Sequence, residues 1–407
     1  MAILHIAQYS LPEITSGYTI RTHAIATEQR SLGLEPIVVT SPRHPSDEEA
    51  ALDGIPYLRC RPERPVRSPW LRDVRRVRTL AARIAEIAAD RGEIRLLHAH
   101  SPLLCGMAAL RAARRLGLPV VYEVRGLWEE VIAERAAGRR LHPRYLLARS
   151  LELRVCRRAS AVVAISEGLR GHLIRRGLPA ERVRVIPNGV DTKAFAPRTP
   201  PSDFRRSFGL GNGPLALYLG AIRRYEGIDT LLDAWPAVTA RVPNAQAMIV
   251  GAGEDRSRVS ERVKALGPGV VLLPPLPHDA VGDYYAAADI VIYPRLSTLA
   301  TEIVAPLKPL EAMAMGKAII ASDVGGLREL VTDDETARLF PDGSPVALAE
   351  ACIELLSDDE LRGRLGERAR RHVIAHHQWR QVAERYRDLY HSVASESGAD
   401  RSRSSRA

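Results

Sequence analysis

The sequence predicts an α/β chain built of two doubly wound domains in tandem. Short apolar runs that end in polar or glycine-rich turns alternate with helical stretches along nearly all of its 407 residues. These runs form two series, divided at 191–214 by a stretch dense in proline and glycine that keeps no period and reads as a linker. The segment Ile290–Leu330, IVIYPRLSTLATEIVAPLKPLEAMAMGKAIIASDVGGLREL, states the pattern most compactly, as strand, loop, helix, strand, loop, helix.

The first series fills a domain over 1–190. Residues 3–7 (ILHIA) read as a buried strand, followed by a loop with Pro12 and Gly17 and a helical stretch from Thr19 to Leu32. Strand, glycine loop and helix open a Rossmann-like unit, although a single Gly17 instead of GxGxxG is a weak dinucleotide signal. Residues 36–40 (PIVVT) give the second strand, and the arginine- and proline-rich stretch 59–69 a loop. A helix then places Leu71, Val74, Val77, Leu80, Ile84 and Ile87 on one face and Arg72, Arg75, Arg76 and Arg83 elsewhere. That pattern suits a surface helix of the domain or a basic helix lying on a membrane surface, and the stretch 143–158 has the same two readings. The runs at 96–100, 119–124, 161–166 and 183–189 follow; ligands bind beyond the carboxyl ends of such strands, so His98, His100, Arg125, Ser166 and Asn188 are expected near a cleft.

The second series runs over 215–372, with strands at 215–220, 245–251, 270–274, 289–294 and 318–322. A cleft is expected between the two domains. Helical chain continues to about Tyr390, and the polar, basic end of the chain, 396–407, reads as a disordered tail. Within this series Pro309 suits the first position of a helix and Gly316 its left-handed end. Free amides at that helix start, beside Lys308, make an anion site matched to phosphate, and Glu311 one turn in can accept from a diol such as a ribose.

Composition narrows the function classes. Apolar content of 46% with 26% charged residues is that of a soluble globular protein, and no apolar run is long enough to span a bilayer. The first residues lack the basic start of a signal peptide, and four scattered cysteines suit free thiols in a reducing compartment, so the cytoplasm is expected. The net charge of +10 lacks the aromatic interleaving of a nucleic-acid surface, with 5% aromatic residues; a phosphorylated ligand or an anionic membrane accounts for it. Acidic clusters at 46–49, 332–335 and 357–360 each begin with Ser or Thr three residues before a Glu, so they are read as capping boxes and not as metal ligands.

The stretches AISEGLRGHLIRRG, VIPNGVDTKAF, YLGAIRRYEGIDTLLDAW, VGAGEDRSRV, YYAAADIVIYPR and PLKPLEAMAMGKAIIASDVGGLREL resemble the family 4 glycosyltransferases, retaining enzymes of the GT-B fold. The resemblance covers nearly the whole chain. SGYTIRTHAIATEQRSLG and TSPRH look more narrowly like the subgroup associated with bacterial exosortase and exopolysaccharide loci. It implies a C-terminal domain that holds a nucleotide-diphosphate sugar, an N-terminal domain that holds the acceptor, and a C-terminal helix (373–395) that returns to the N-terminal domain. Glu311 matches the second Glu of the family's pair, assigned to the ribose, while the first falls on Ile303, one residue from Glu302. The family's diphosphate Arg and Lys fall on Ala221 and Glu226, leaving Arg223, Arg224 and Lys308 to supply the charge; the N-terminal histidine falls on Arg125. Donor contacts are assigned by the same resemblance to Gly17, Gly220, Gly253, Leu276, Pro309, Leu310 and Glu311.

Residues and resemblance together point to a metal-independent retaining hexosyltransferase with no cofactor beyond its donor. Its acceptor is a saccharide or lipid-linked saccharide of bacterial exopolysaccharide or glycoconjugate synthesis, met in the cytoplasm or at the inner membrane face, and nucleic acid is not a partner. Two alternatives stay open: an epimerase-like GT-B enzyme, and a catalytically degenerate nucleotide-sugar-binding protein, which Ile303, Ala221 and Glu226 would suit.

Overall fold

The computed structural model describes residues 1–61, 68–127 and 142–404, with side chains through 396. The chain divides into two units: Met1–Pro187 with Trp379–Ala407, and Asn188–Gln378.

In chain order the first unit holds β1 (Ala2–Ala7), α1 (Gly17–Ser31), β2 (Glu35–Thr40), β3 (Ala50–Leu52), β4 (Ile55–Leu58), α2 (Pro69–Arg91) and β5 (Ile94–His100). It continues with α3 (Leu103–Leu116), β6 (Val120–Val124), α4 (Pro143–Arg158), β7 (Ala161–Ala164), α5 (Glu167–Arg175) and β8 (Val183–Val185). Among the described residues these strands form one eight-stranded sheet in the order β3-β4-β2-β1-β5-β6-β7-β8, parallel except for the β3–β4 pair. Every residue of β1 is buried, as a central strand covered on both faces requires. Asp53 and Gly54, both at positive φ, make the tight turn of the β3–β4 hairpin, which the strand series at 3–7 and 36–40 had not included.

The second unit runs β9 (Leu215–Leu219), α6 (Ile228–Arg241), β10 (Gln246–Val250), α7 (Arg256–Ala265), β11 (Val270–Leu273), α8 (Val281–Ala287) and β12 (Ile290–Tyr293). After these come α9 (Leu299–Ile303), α10 (Lys308–Ala314), β13 (Ala318–Ser322), α11 (Gly325–Arg328), β14 (Arg338–Phe340), α12 (Pro345–Ser357) and α13 (Asp359–His376). Its parallel sheet has the order β11-β10-β9-β12-β13-β14. The chain starts at β9, winds outward to β11, then crosses back to β12; the strand order therefore reverses between β9 and β12, and the crevice beyond their carboxyl ends is the topological switch point. Apolar clusters pack both faces of this sheet.

α14 (Trp379–Ser404) belongs to the first unit, where it packs on α1. Tyr386 and Tyr390 on it are fully buried. The helix runs on to Ser404, so the expected disordered tail is helical over most of its length, and the last three residues lie outside the described ones.

Other expectations are corrected. The stretch 191–214 is not a linker but part of the second unit. Phe195 and Leu210 sit in its core, and Arg205 bonds the carbonyls of Ala287 and Gly213 and pairs with Asp289. Nor are the acidic clusters capping boxes. Ser46 and Thr332 start no helix, and α13 is capped by Asp358, which accepts from the Leu361 amide. The capping boxes present are Ser16 with Thr19 and Thr298 with Thr301, where a threonine takes the part of the Glu.

Phe195 is 6% exposed, with its ring edge-on to those of His278 and Tyr285. Phe195→Ala is expected to destabilise the second unit by about 3–5 kcal/mol, measured by denaturant unfolding. A true linker would show almost no change.

Candidate active site

The loops that leave β9 and β12 build the switch-point site of the second unit. After β9 the chain turns back over its own strand. The Tyr218 hydroxyl donates to the Ala221 carbonyl at 2.6 Å, and a Cβ at Gly220 would lie 2.6 Å from that hydroxyl. The loop after β10 runs beside it, with Ile222 N–H on the Ala252 carbonyl; a Cβ at Gly253 would lie 2.0 Å from the Ile222 oxygen. Gly220 and Gly253 are therefore glycines because backbone meets backbone or a tyrosine tip there. Leu276 packs, partly buried, on the unit's core.

Arg223 and Arg224 are exposed on the following turn, whose last residue, Glu226, is buried. Glu226 is held by Arg295, the second residue beyond β12. Arg295 Nη2 donates to Oε1 at 2.9 Å and Nε to Oε2 at 3.0 Å. Burial opposes the Arg295 charge, but Glu226 outweighs it and raises the pKa above the ordinary arginine value. Sequence reasoning missed Arg295 altogether.

Glu311 is 7% exposed and accepts from the Tyr285 hydroxyl at 3.2 Å through Oε2; Tyr285 in turn lies 3.4 Å from the Tyr293 hydroxyl. Lys308 is the first residue of α10, so Pro309 stands second and not first as expected. Proline offers no N–H, and the Leu310 amide is bonded to the Leu307 carbonyl at 3.0 Å, so this seven-residue helix presents fewer free amides than the sequence suggested. The Lys308 side chain is half-buried, and its ammonium has no hydrogen-bond or ion-pair partner among the described residues. Burial lowers its pKa, while Glu311 and Glu226 act to raise it. Glu302 is occupied elsewhere: it accepts from the Ser297 hydroxyl at 2.7 Å and the Gly325 amide at 2.9 Å, and Ile303 beside it is core.

The first unit concentrates its charge differently. Registration of β1 on β5 puts His5 opposite His98; His100, two residues on, shares the His98 face and stands opposite Glu123 on β6. Glu123 is fully buried. Its Oε1 accepts from Arg21 at 2.7 Å and from Arg125 Nε at 2.8 Å, and its Oε2 lies 3.0 Å from His100 Nδ1. Burial works against this carboxylate, yet Arg125 and Arg21 hold its pKa well below the usual range. His5 joins His100 at 3.0 Å and Gln29 at 2.8 Å, and His98 meets the Tyr390 hydroxyl at 2.7 Å. His98 Nε2 lies 3.1 Å from Glu123 Oε2 but out of line for a hydrogen bond.

These three imidazoles are the one metal-ligating group among the described residues. They do not fit an ion: the two nearest nitrogens are bonded to each other, and two guanidiniums around one carboxylate already leave the pocket positive. Arg125, expected to act in catalysis, is a strut. Its Nη1 donates to the Tyr18 carbonyl and the Thr22 hydroxyl, its Nη2 lies 2.7 Å from His100 Nδ1, and its guanidinium stacks on Tyr18. Of the other residues expected near a cleft, His98 and His100 are sealed inside, Ser166 caps α5, and Asn188 donates to the Ala305 carbonyl within the second unit. Gly17 is merely the first residue of α1.

Two doubly wound units, the second with a cationic switch point, are the architecture of the GT-B class. Residues 15–194 match the family model "Glycosyltransferase Family 4" and residues 202–372 match "Glycosyl transferases group 1". A D-inositol 3-phosphate glycosyltransferase of Salinispora arenicola is 32% identical over 308 residues, 71% of this chain and 67% of that protein. The chain belongs to this glycosyltransferase family. Among solved structures, sucrose-phosphate synthase from Thermosynechococcus elongatus has the same fold at TM-score 0.78 and 23% identity, over 97% of this chain and 99% of that one. Anabaena Alr3699/HepE in complex with UDP-glucose matches at TM-score 0.75 and 20% identity, over 96% and 100%.

The histidine cluster makes stability depend on pH. Burial, with His98 adding to it, lowers the His5 pKa to about 3, from an ordinary value of 6.5. A depressed pKa contributes stability that is present above about pH 6.5 and lost as pH falls toward 3, at up to about 1.4 kcal/mol per pH unit. The melting temperature of the wild type should fall between pH 7 and pH 4.5, and that of His5→Gln less steeply. Parallel slopes would refute the assignment.

Proposed function

We propose that the chain is a retaining, metal-independent glycosyltransferase that moves a hexosyl group from a nucleoside diphosphate sugar to an acceptor hydroxyl. The observation that carries it is the placement, beside the carboxyl end of β12, of a Lys308 ammonium without a partner among the described residues next to a Glu311 carboxylate that among them is bonded through one oxygen. Glu311 Oε1 takes a ribose hydroxyl while Lys308 takes the diphosphate. The likeness to a UDP-glucose complex supports a nucleotide-sugar donor.

In the transfer the bond from the sugar's anomeric carbon to the diphosphate oxygen breaks, and the acceptor oxygen bonds that carbon on the same face. The acceptor's proton passes to the departing phosphate oxygen, so no carboxylate base is required at Ile303. Negative charge builds on the leaving diphosphate, where Lys308, Arg223 and Arg224 stabilise it. Arg125 serves by holding the loop after β6 to α1.

The acceptor is a lipid-linked saccharide of bacterial exopolysaccharide or glycoconjugate synthesis, of the kind associated with exosortase loci, met at the cytoplasmic membrane face. A groove of about 1010 Å3 between α2, α3 and α4 supports this. Arg72, Arg111 and Arg144 line it without ion pairs among the described residues; Trp70, which also lines it, is 58% exposed, and Leu71, next in the chain, is 59% exposed. Arginines beside exposed apolar side chains match an anionic bilayer surface. Four free, buried cysteines are in keeping with a reducing compartment.

Transfer or hydrolysis across a panel of nucleotide sugars tests the reaction. Lys308→Ala should lower turnover by about 10²–10³, by analogy with loss of an oxyanion donor. Glu311→Gln should weaken nucleotide binding and turnover together. A wild type that binds nucleotide sugars yet turns none over would be the degenerate binding protein instead.

Flotation with anionic vesicles tests the acceptor side. The wild type should float at low salt and sink at high salt, and Trp70→Ala with Leu71→Ala should weaken flotation. No binding to anionic vesicles would return the acceptor to solution.

A further inference from the structure

Arg295 has a guanidinium that is half used. Of its five N–H groups, Glu226 takes Nε–H and one on Nη2; among the described residues nothing accepts from Nη1. The side chain is only 15% exposed, so the open edge is not simply waving in solvent. It lies at the reversal of strand order, where the loops leaving β9 and β12 meet.

Those loops are locked together. Gly227 has φ +70, and a Cβ there would lie 1.7 Å from the Pro294 oxygen, so the two backbones touch. The Leu296 amide donates to the Tyr225 carbonyl at 2.9 Å, and the Arg295 carbonyl accepts from the Ser322 hydroxyl at 2.6 Å. Backbone and inner edge of Arg295 are thus both fixed before any ligand arrives. Lys308 and Tyr293 both feel the charge of Glu226, and both feel Glu311, which puts the pair in the same electrostatic neighbourhood as the donor site.

We propose that Arg295 binds the donor's diphosphate through its open edge, and that Glu226 is the positioning residue that aims it. This rests on the nucleotide-sugar reading above and names a cation that reading did not contain. A carboxylate at 226 on its own would repel a phosphate. Bound through both oxygens to Arg295, it becomes the support of a planar donor edge, the geometry that suits phosphate oxygens. A plain loop staple would explain the pair but not the unfilled edge at the switch point.

Calorimetric titration of the full chain with UDP, GDP, ADP and inorganic pyrophosphate tests it. Arg295→Gln should weaken binding of the tightest nucleoside diphosphate, and of pyrophosphate, by about 10- to 100-fold, the range for a hydrogen bond to a charged group. Because that variant strands a buried Glu226, the double variant Arg295→Gln with Glu226→Gln keeps the pair bonded and neutral, and should show the same loss at a melting temperature near wild type. Glu226→Gln alone should weaken binding by about 3- to 10-fold, and should add nothing in the Arg295→Gln background, since it acts through Arg295. Unchanged diphosphate affinity in the double variant, or additive losses with only a lowered melting temperature, overturns the proposal. A wild type that binds pyrophosphate through Arg295 but no nucleotide would leave this anion site standing and overturn the donor reading; one that binds neither overturns both.

Discussion

A carboxylate sealed from water organises the first unit. Glu123 on β6 has no exposed surface, so its charge persists only because Arg21 from α1 and Arg125 from the next loop reach it. Arg21 is tied in turn to the carbonyls of Ile186 and Pro187 and to the Tyr386 hydroxyl of α14. The sheet, its first helix and its last helix therefore close on one point. Removing one partner of such a pair typically costs about 3–5 kcal/mol, because the charge left behind stays buried.

The second unit treats charge in the opposite way. Its sheet is packed by apolar side chains on both faces, and its buried ionic groups gather where β9 and β12 end. There the groups are left incomplete: Lys308 has no partner among the described residues, Glu311 is bonded through one oxygen, and Arg295 through one edge. Saturation separates the two regions. Arg125 spends both Nη groups and Nε on its own unit and reads as architecture, whereas the half-satisfied groups are those with bonds left to give to a ligand.

Much of the architecture was legible because buried parallel strands are short apolar runs, and the runs at 3–7, 96–100, 215–220 and 289–294 all became strands. β3 and β4 escaped because they are only three and four residues long, too short to show a period, although Asp53-Gly54 between them was a hairpin signal. The misread linker fails for a related reason: Phe195 and Leu210 are single anchors without a period, so nothing in 191–214 announces burial. Of the site, Lys308 and Glu311 were visible because they share one short segment. Arg295 was not, since its meaning comes from Glu226, 69 residues earlier in the chain. Arg125 was visible as a residue but not as a strut, because Tyr18, Thr22 and His100 come from other elements.

The first unit is also discontinuous, and that orders events during synthesis. Its β-strands leave the ribosome well before Tyr386 and Tyr390, which bond Arg21, Gln29 and His98. The whole of Asn188–Gln378 is translated in between. At the usual pace of about 5–20 residues per second, the nascent sheet spends many seconds with its buried polar groups uncovered on that side. The first unit is thus begun before the second and finished after it, a period in which a chaperone has an open, partly polar face to hold.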